Sequence, residues 1–111
     1  MWLVGRAAAV FGLNRQEGMD IEEFERHWRE DHSPIAAETP GLRKYTISIA
    51  HDPEESRYDG LAQLYFDSEE ALEAAMDSEE LGEAAADLTN FADTDDVLQL
   101  ALEEGVQVEE H

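Results

Sequence analysis

The stretch FERHWREDHSPIAAETPGLRKY, residues 24–45, decides the fold. Its first part carries aromatic residues at helical spacing, and its second part is broken by Pro34 and by Pro40-Gly41 before a strand-like run begins. At about 100° per residue, Ile21, Phe24, Trp28 and His32 fall within roughly 80° of one another, so a single helix face carries all four toward the interior. Asp20 suits the N-cap of this helix, and Glu23, three residues on, completes the reciprocal capping pair. Pro34 disfavours helical backbone at Ser33, which predicts that the helix ends close to His32. A short helical turn over residues 34–38 is expected before Pro40-Gly41 breaks the chain again. Residues 42–51 then alternate Tyr45, Ile47 and Ile49 with Lys44, Thr46 and Ser48, the pattern of a strand.

Upstream, the apolar residues 2–11, bounded by Gly12 and Asn14, read as a first strand. Downstream, a loop at 52–56 leads into a strand at 58–66 with Ala62, Leu64 and Phe66 on one face, so the two strands form a hairpin. Ser68 caps a helix running to about residue 76, and Ser78 starts another helical piece running to about residue 90. Residues 97–102 read as the last strand, in which Leu98, Leu100 and Leu102 alternate with Val97, Gln99 and Ala101. The order β-α-β-β-α-β predicts an α+β, ferredoxin-like fold with a four-stranded antiparallel sheet covered on one face by helices. The other sheet face is left open, and self-association through it as an isologous homodimer is expected.

The 111 residues suit one domain, taken as residues 1–104, with 105–111 as a tail that frays. No apolar run approaches a membrane span, and the N-terminal stretch lacks the basic region of a secretory signal, so a cytoplasmic protein without membrane partners is expected. The absence of cysteine excludes disulfides and thiolate chemistry. A formal charge of −21, from 28 acidic and seven basic residues, argues against nucleic-acid binding. All the cations lie at or before Arg57, which leaves the C-terminal half purely anionic, a balance that reads as adaptation to high salt. A basic partner docking on residues 69–87 is the costlier reading of the same charge. A calcium loop starting at Asp93 fails, because Leu98 stands where the turn glycine belongs. No metal site is expected.

Of the four histidines, only His32 lies on the buried stripe; His27 falls on its flank, while His51 and His111 lie in loop and tail. His32 either caps a helix C-terminal carbonyl or serves as an acid/base group in a pocket walled by Phe24, Trp28 and the tyrosines Tyr45 and Tyr65. A helix C-terminus favours its protonated form, which suits a general acid. On an ideal helix, His27 and His32 diverge by about 140°, which argues against a shared metal.

The run F-x-x-H-W-x-x-x-H-x-P followed by P-G-L-R-K-Y, here Phe24, His27, Trp28, His32, Pro34 and then residues 40–45, resembles the EthD-like family of dimeric α+β barrel proteins. Tyr58-Asp59-Gly60 and Phe66-Asp67-Ser68 extend the likeness across most of residues 2–102. The resemblance implies two ferredoxin-like monomers whose sheets pack face to face, and a superfamily that includes isomerases, cyclases and cofactor-free or haem-handling monooxygenases. Only His32 matches the family's interior histidine, with Phe24 and Trp28 as pocket wall. Asp59 reads first as a turn residue before Gly60. The expected function is a small-molecule enzyme of the isomerase, cyclase or cofactor-free monooxygenase kind, with His32 as catalytic group, an apolar or aromatic ligand and no cofactor. The alternative is a non-catalytic ligand-binding or accessory dimer of an oxidative degradation pathway.

Overall fold

The structure is a computed structural model that describes residues 7–105 and 107. Its elements are β1 (Ala7–Leu13), α1 (Ile21–His27), a π-helical turn (Trp28–His32), α2 (Ser33–Ala36), β2 (Lys44–Ile49), β3 (Gly60–Phe66), α3 (Glu69–Met76), α4 (Glu79–Asp87) and β4 (Leu98–Glu103). The strands form one antiparallel sheet in the order β2-β3-β1-β4, the expected ferredoxin-like arrangement. The first strand is described over Ala7–Leu13 and runs two residues past its expected end, while the expected residues 2–6 lie outside the described residues, as does most of the expected tail. The last strand starts and ends one residue later than expected.

Sequence pattern and register account for the two faces of the sheet. Ala62, Leu64 and Phe66 of β3 are buried under the helices, and Tyr45, Ile47 and Ile49 of β2 pack against the same core. β1 is central, flanked by β3 and β4, which explains why its alanines are buried on both faces. The far face is a grid of register-matched rows: Lys44, Tyr65, Ala8 and Leu102; Thr46, Gln63, Val10 and Leu100; Ser48, Leu61, Gly12 and Leu98.

Asp20, Ser68 and Ser78 cap α1, α3 and α4, each accepting from the backbone N–H three residues on. The expected end of the first helix at His32 is corrected by the structure. Ser33 keeps helical backbone angles, φ −57° and ψ −39°, and its N–H bonds to the carbonyl of Trp28, an i→i+5 closure. The widened turn makes room for the Pro34 ring, which in a regular helix collides with the carbonyl four residues earlier. Pro34 then stands in the first turn of α2, where its missing N–H leaves no bond unmade.

Trp28 is fully buried and rests directly on β3. A Cβ at Gly60 would stand 2.7 Å from the indole Cζ3 and 2.9 Å from the Ser48 carbonyl, so only glycine admits the ring there. Asp59 is a structural carboxylate: it is buried, accepts from the Arg15 backbone N–H at 2.8 Å, and lies 3.8 Å from the Arg15 guanidinium. It ties the end of β1 to the start of β3.

Candidate functional site

The π turn decides what the first helix presents inward. An i→i+5 closure brings residues five apart onto one face, so His27 and His32 converge instead of diverging by the angle an ideal helix implies. Both meet a single oxygen on α4. His32 Nδ1 lies 2.8 Å from Asp87 Oδ2, and His27 Nε2 lies 3.2 Å from the same atom. Asn90 donates to the other carboxylate oxygen at 2.9 Å. His32 thus engages a carboxylate and not a helix C-terminal carbonyl, because the helix does not end there.

Burial pushes the His32 imidazole below its ordinary 6.5, against the pull of the Asp87 carboxylate. For Asp87, burial acts to raise the carboxyl, but the hydrogen bonds from Asn90, His32 and His27 outweigh it and hold the group below its ordinary range. The pair is therefore a neutral imidazole donating from Nδ1 to an ionised carboxylate. That tautomer leaves Nε2 with its lone pair, and no protein group among the described residues engages it. A neutral ring in that tautomer can accept a proton at Nε2, where the helix-terminus argument had favoured the protonated form.

His32 lines a cavity of about 280 Å³ between the first helix, α4 and the covered sheet face, a size at the small end for ligand pockets. Its walls are mostly apolar, with Trp28, Leu64 and Met76 among them, and Tyr45 and Gln99 add polar atoms. The Tyr45 hydroxyl accepts from the Trp28 indole N–H at 3.2 Å and lies 3.2 Å from Ser33 Oγ. Burial raises the Tyr45 phenol despite those two bonds, so it remains a neutral donor.

Of the residues expected to form the pocket, the structure brings His32, Trp28 and Tyr45 together and leaves two out. Phe24 is sealed behind Trp28, edge-on at 5.3 Å, and does not reach the cavity. Tyr65 lies on the far sheet face, where its hydroxyl donates to Gln63 at 2.9 Å and Lys44 approaches its ring. Two site residues escaped the sequence reading. Gln99 hides in a strand with two weakly distinguished faces. Asp87 is one acidic residue among 28, and its only signal is a place on the last turn of a helix otherwise rich in small apolar residues. Among the described residues, no group of three His, Cys, Asp or Glu side chains is arranged to hold a metal ion.

Residues 16–95 match the family model described as the EthD domain. A Rhodococcus erythropolis protein, described as an uncharacterized 11.0 kDa protein in the thcB-thcC intergenic region, is 35% identical over 77 residues, which cover 66% of this chain and 73% of its own length. The crystal structure of an EthD family protein from Bacillus halodurans superposes with a TM-score of 0.74 at 26% identity, over 89% of this chain and 98% of the other. SnoaB, a cofactor-independent oxygenase from Streptomyces nogalater, shares the fold alone, with a TM-score of 0.68 at 12% identity over 96% of this chain and 99% of its own. Several other solved structures of this fold are dimeric ferredoxin-like proteins of unknown function.

Proposed function

This chain belongs to the EthD domain family, and on that premise we propose that it is a small-molecule enzyme in which His32 acts as general base on an apolar or aromatic carbonyl compound without a cofactor. The observation that carries this reading is the His32 Nδ1 to Asp87 contact of 2.8 Å beside the cavity. A carboxylate that fixes one ring nitrogen as donor leaves the other as a lone-pair base, on a ring that lines the cavity. The step takes a proton from carbon beside a carbonyl: the C–H bond breaks, the proton goes to Nε2, and the electron pair moves onto the carbonyl oxygen. The Tyr45 O–H is the donor suited to that developing enolate. Isomerisation, cyclisation and cofactor-free oxygenation can each begin with this deprotonation. SnoaB supports the reading, since a cofactor-independent oxygenase is built on the same fold.

His32→Gln tests it against a panel of small aromatic ketones, phenols and lactones. A loss in kcat/KM on the order of 10²-fold or more, with the melting temperature little changed, is expected. Full activity in the variant overturns the base, and ligand binding without turnover in the parent protein favours a binding module.

The working unit in this proposal is a homodimer closed over the far sheet face. That face presents Leu100 and Leu102, which are 44% and 45% exposed, beside Val10 and Leu98, and leucines so placed are expected to be covered by a partner. The dimeric neighbours of the same fold support it.

A further inference from the structure

His27 has no part in the chemistry above, yet it is built into the same site. Its ring stacks on Phe91 at 4.7 Å between centroids, and both its nitrogens face carboxylates. Nε2 lies 3.2 Å from Asp87 Oδ2, and Nδ1 lies 3.3 Å from Asp31 Oδ2. The charged groups facing it are thus Asp31 on its own helix and Asp87 from α4; Arg26 lies 3.4 Å from Asp31, and His32 stands across Asp87. A carboxylate oxygen only accepts, so His27 and His32 both donate to one atom, Asp87 Oδ2.

We propose that His27 is a positioning residue of the dyad: by occupying one lone pair of Asp87 Oδ2, it fixes the carboxylate so that the other receives His32 and holds Nε2 toward the cavity. The proposal rests on the reading of His32 as base, and it concerns how that base is oriented and tuned. Two donors on one oxygen divide its accepting capacity, so His27 restrains the hold of Asp87 on His32. Asp87 stays below its ordinary carboxyl range, so the chain from Asp31 to His32 orients a base and does not relay its proton. The π turn is the device that places the two donors, since it carries residues five apart to one carboxylate.

Three variants of the full-length protein test this by 15N NMR of the imidazoles and by the pH profile of kcat/KM. His27→Phe keeps the ring on Phe91 but removes the donor; His27→Gln returns a donor near the Nε2 position; His27→Asn, too short to reach Asp87, stands in for the Phe variant should that one fail to fold. Loss of the donor is expected to raise the His32 titration midpoint, move the acid limb of the profile to higher pH and lower kcat/KM by roughly tenfold to a hundredfold. His27→Gln is expected to keep the Nδ1–H tautomer of His32 and most of the activity. An unchanged His32 midpoint and tautomer in the donor-less variants overturns the proposal and reduces His27 to packing on Phe91. The NMR readout needs no turnover, so failure of the base itself, seen as an active His32→Gln, remains a separate result.

Discussion

At the residue scale, the dyad makes folding depend on pH with a definite sign. Above its ordinary 6.5, His32 is neutral whether the chain is folded or not. Below that value the unfolded chain binds a proton that the buried ring refuses, so stability falls until the pH reaches the lower folded value. Asp87 acts in the same direction in a lower window: its contribution is present above the ordinary 3.8 and is lost as pH falls through its depressed folded value. Acid also relieves the repulsion of a chain with net charge −21, so the informative quantity is a difference between proteins. Denaturation of wild type and His32→Gln in parallel is expected to show wild type losing ground as the pH falls below the ordinary 6.5 of the imidazole. Parallel curves through that range would mean that His32 is not buried neutral. His32 and Trp28 were legible from helical spacing. Asp87 was not, because a carboxylate that orients a histidine looks in one dimension like any acidic residue on a solvated helix.

At the element scale, the first helix and β3 meet through one aromatic residue and one glycine. Gly60→Ala drives a methyl into the Trp28 indole at 2.7 Å and into the Ser48 backbone carbonyl at 2.9 Å, neither of which is the free end of a flexible side chain. Overpacking of this kind costs about 1–3 kcal/mol, to be read from the midpoint of chemical denaturation. An undiminished midpoint would show that the helix shifts freely on the sheet. The alternation of β2 and β3 named their buried faces in advance, since a half-covered strand has to separate apolar from polar positions. The helix end was misjudged for a different reason. The rule that a residue before proline leaves the helical region is local, while here the burial of Trp28, His32 and Ala36 holds the helix together past Pro34. Tertiary contacts outweigh a local preference, and the backbone adjusts by widening one turn.

At the scale of the whole molecule, the exposed leucines of β4 set the expectation for assembly. Leu100→Asp is expected to convert a dimer to a monomer in light scattering with little loss of monomer folding, since the side chain is already 44% exposed in a single chain. The parent dimer should tighten with added salt, because both partners carry −21. A parent protein that is monomeric at every salt concentration removes the far face as the interface. The β-α-β-β-α-β order was legible as a whole because capping residues and turn signals punctuate every element. The cavity was not, because its volume depends on how α4 lies over the sheet, and one sequence carries no direct signal of that distance.

The widened turn also bears on how this site would be found in other chains. In an unbroken α-helix, residues four apart share a face, and in this turn residues five apart do. A motif written H-x4-H here is therefore the spatial equivalent of H-x3-H in a regular helix. A search with fixed spacing would pass over a counterpart that differs by one residue, and an alignment that keeps helix lengths equal would set the wrong histidine opposite His32. Homology across such a turn has to be scored by which side chains reach the same carboxylate, with a single-residue gap allowed between them.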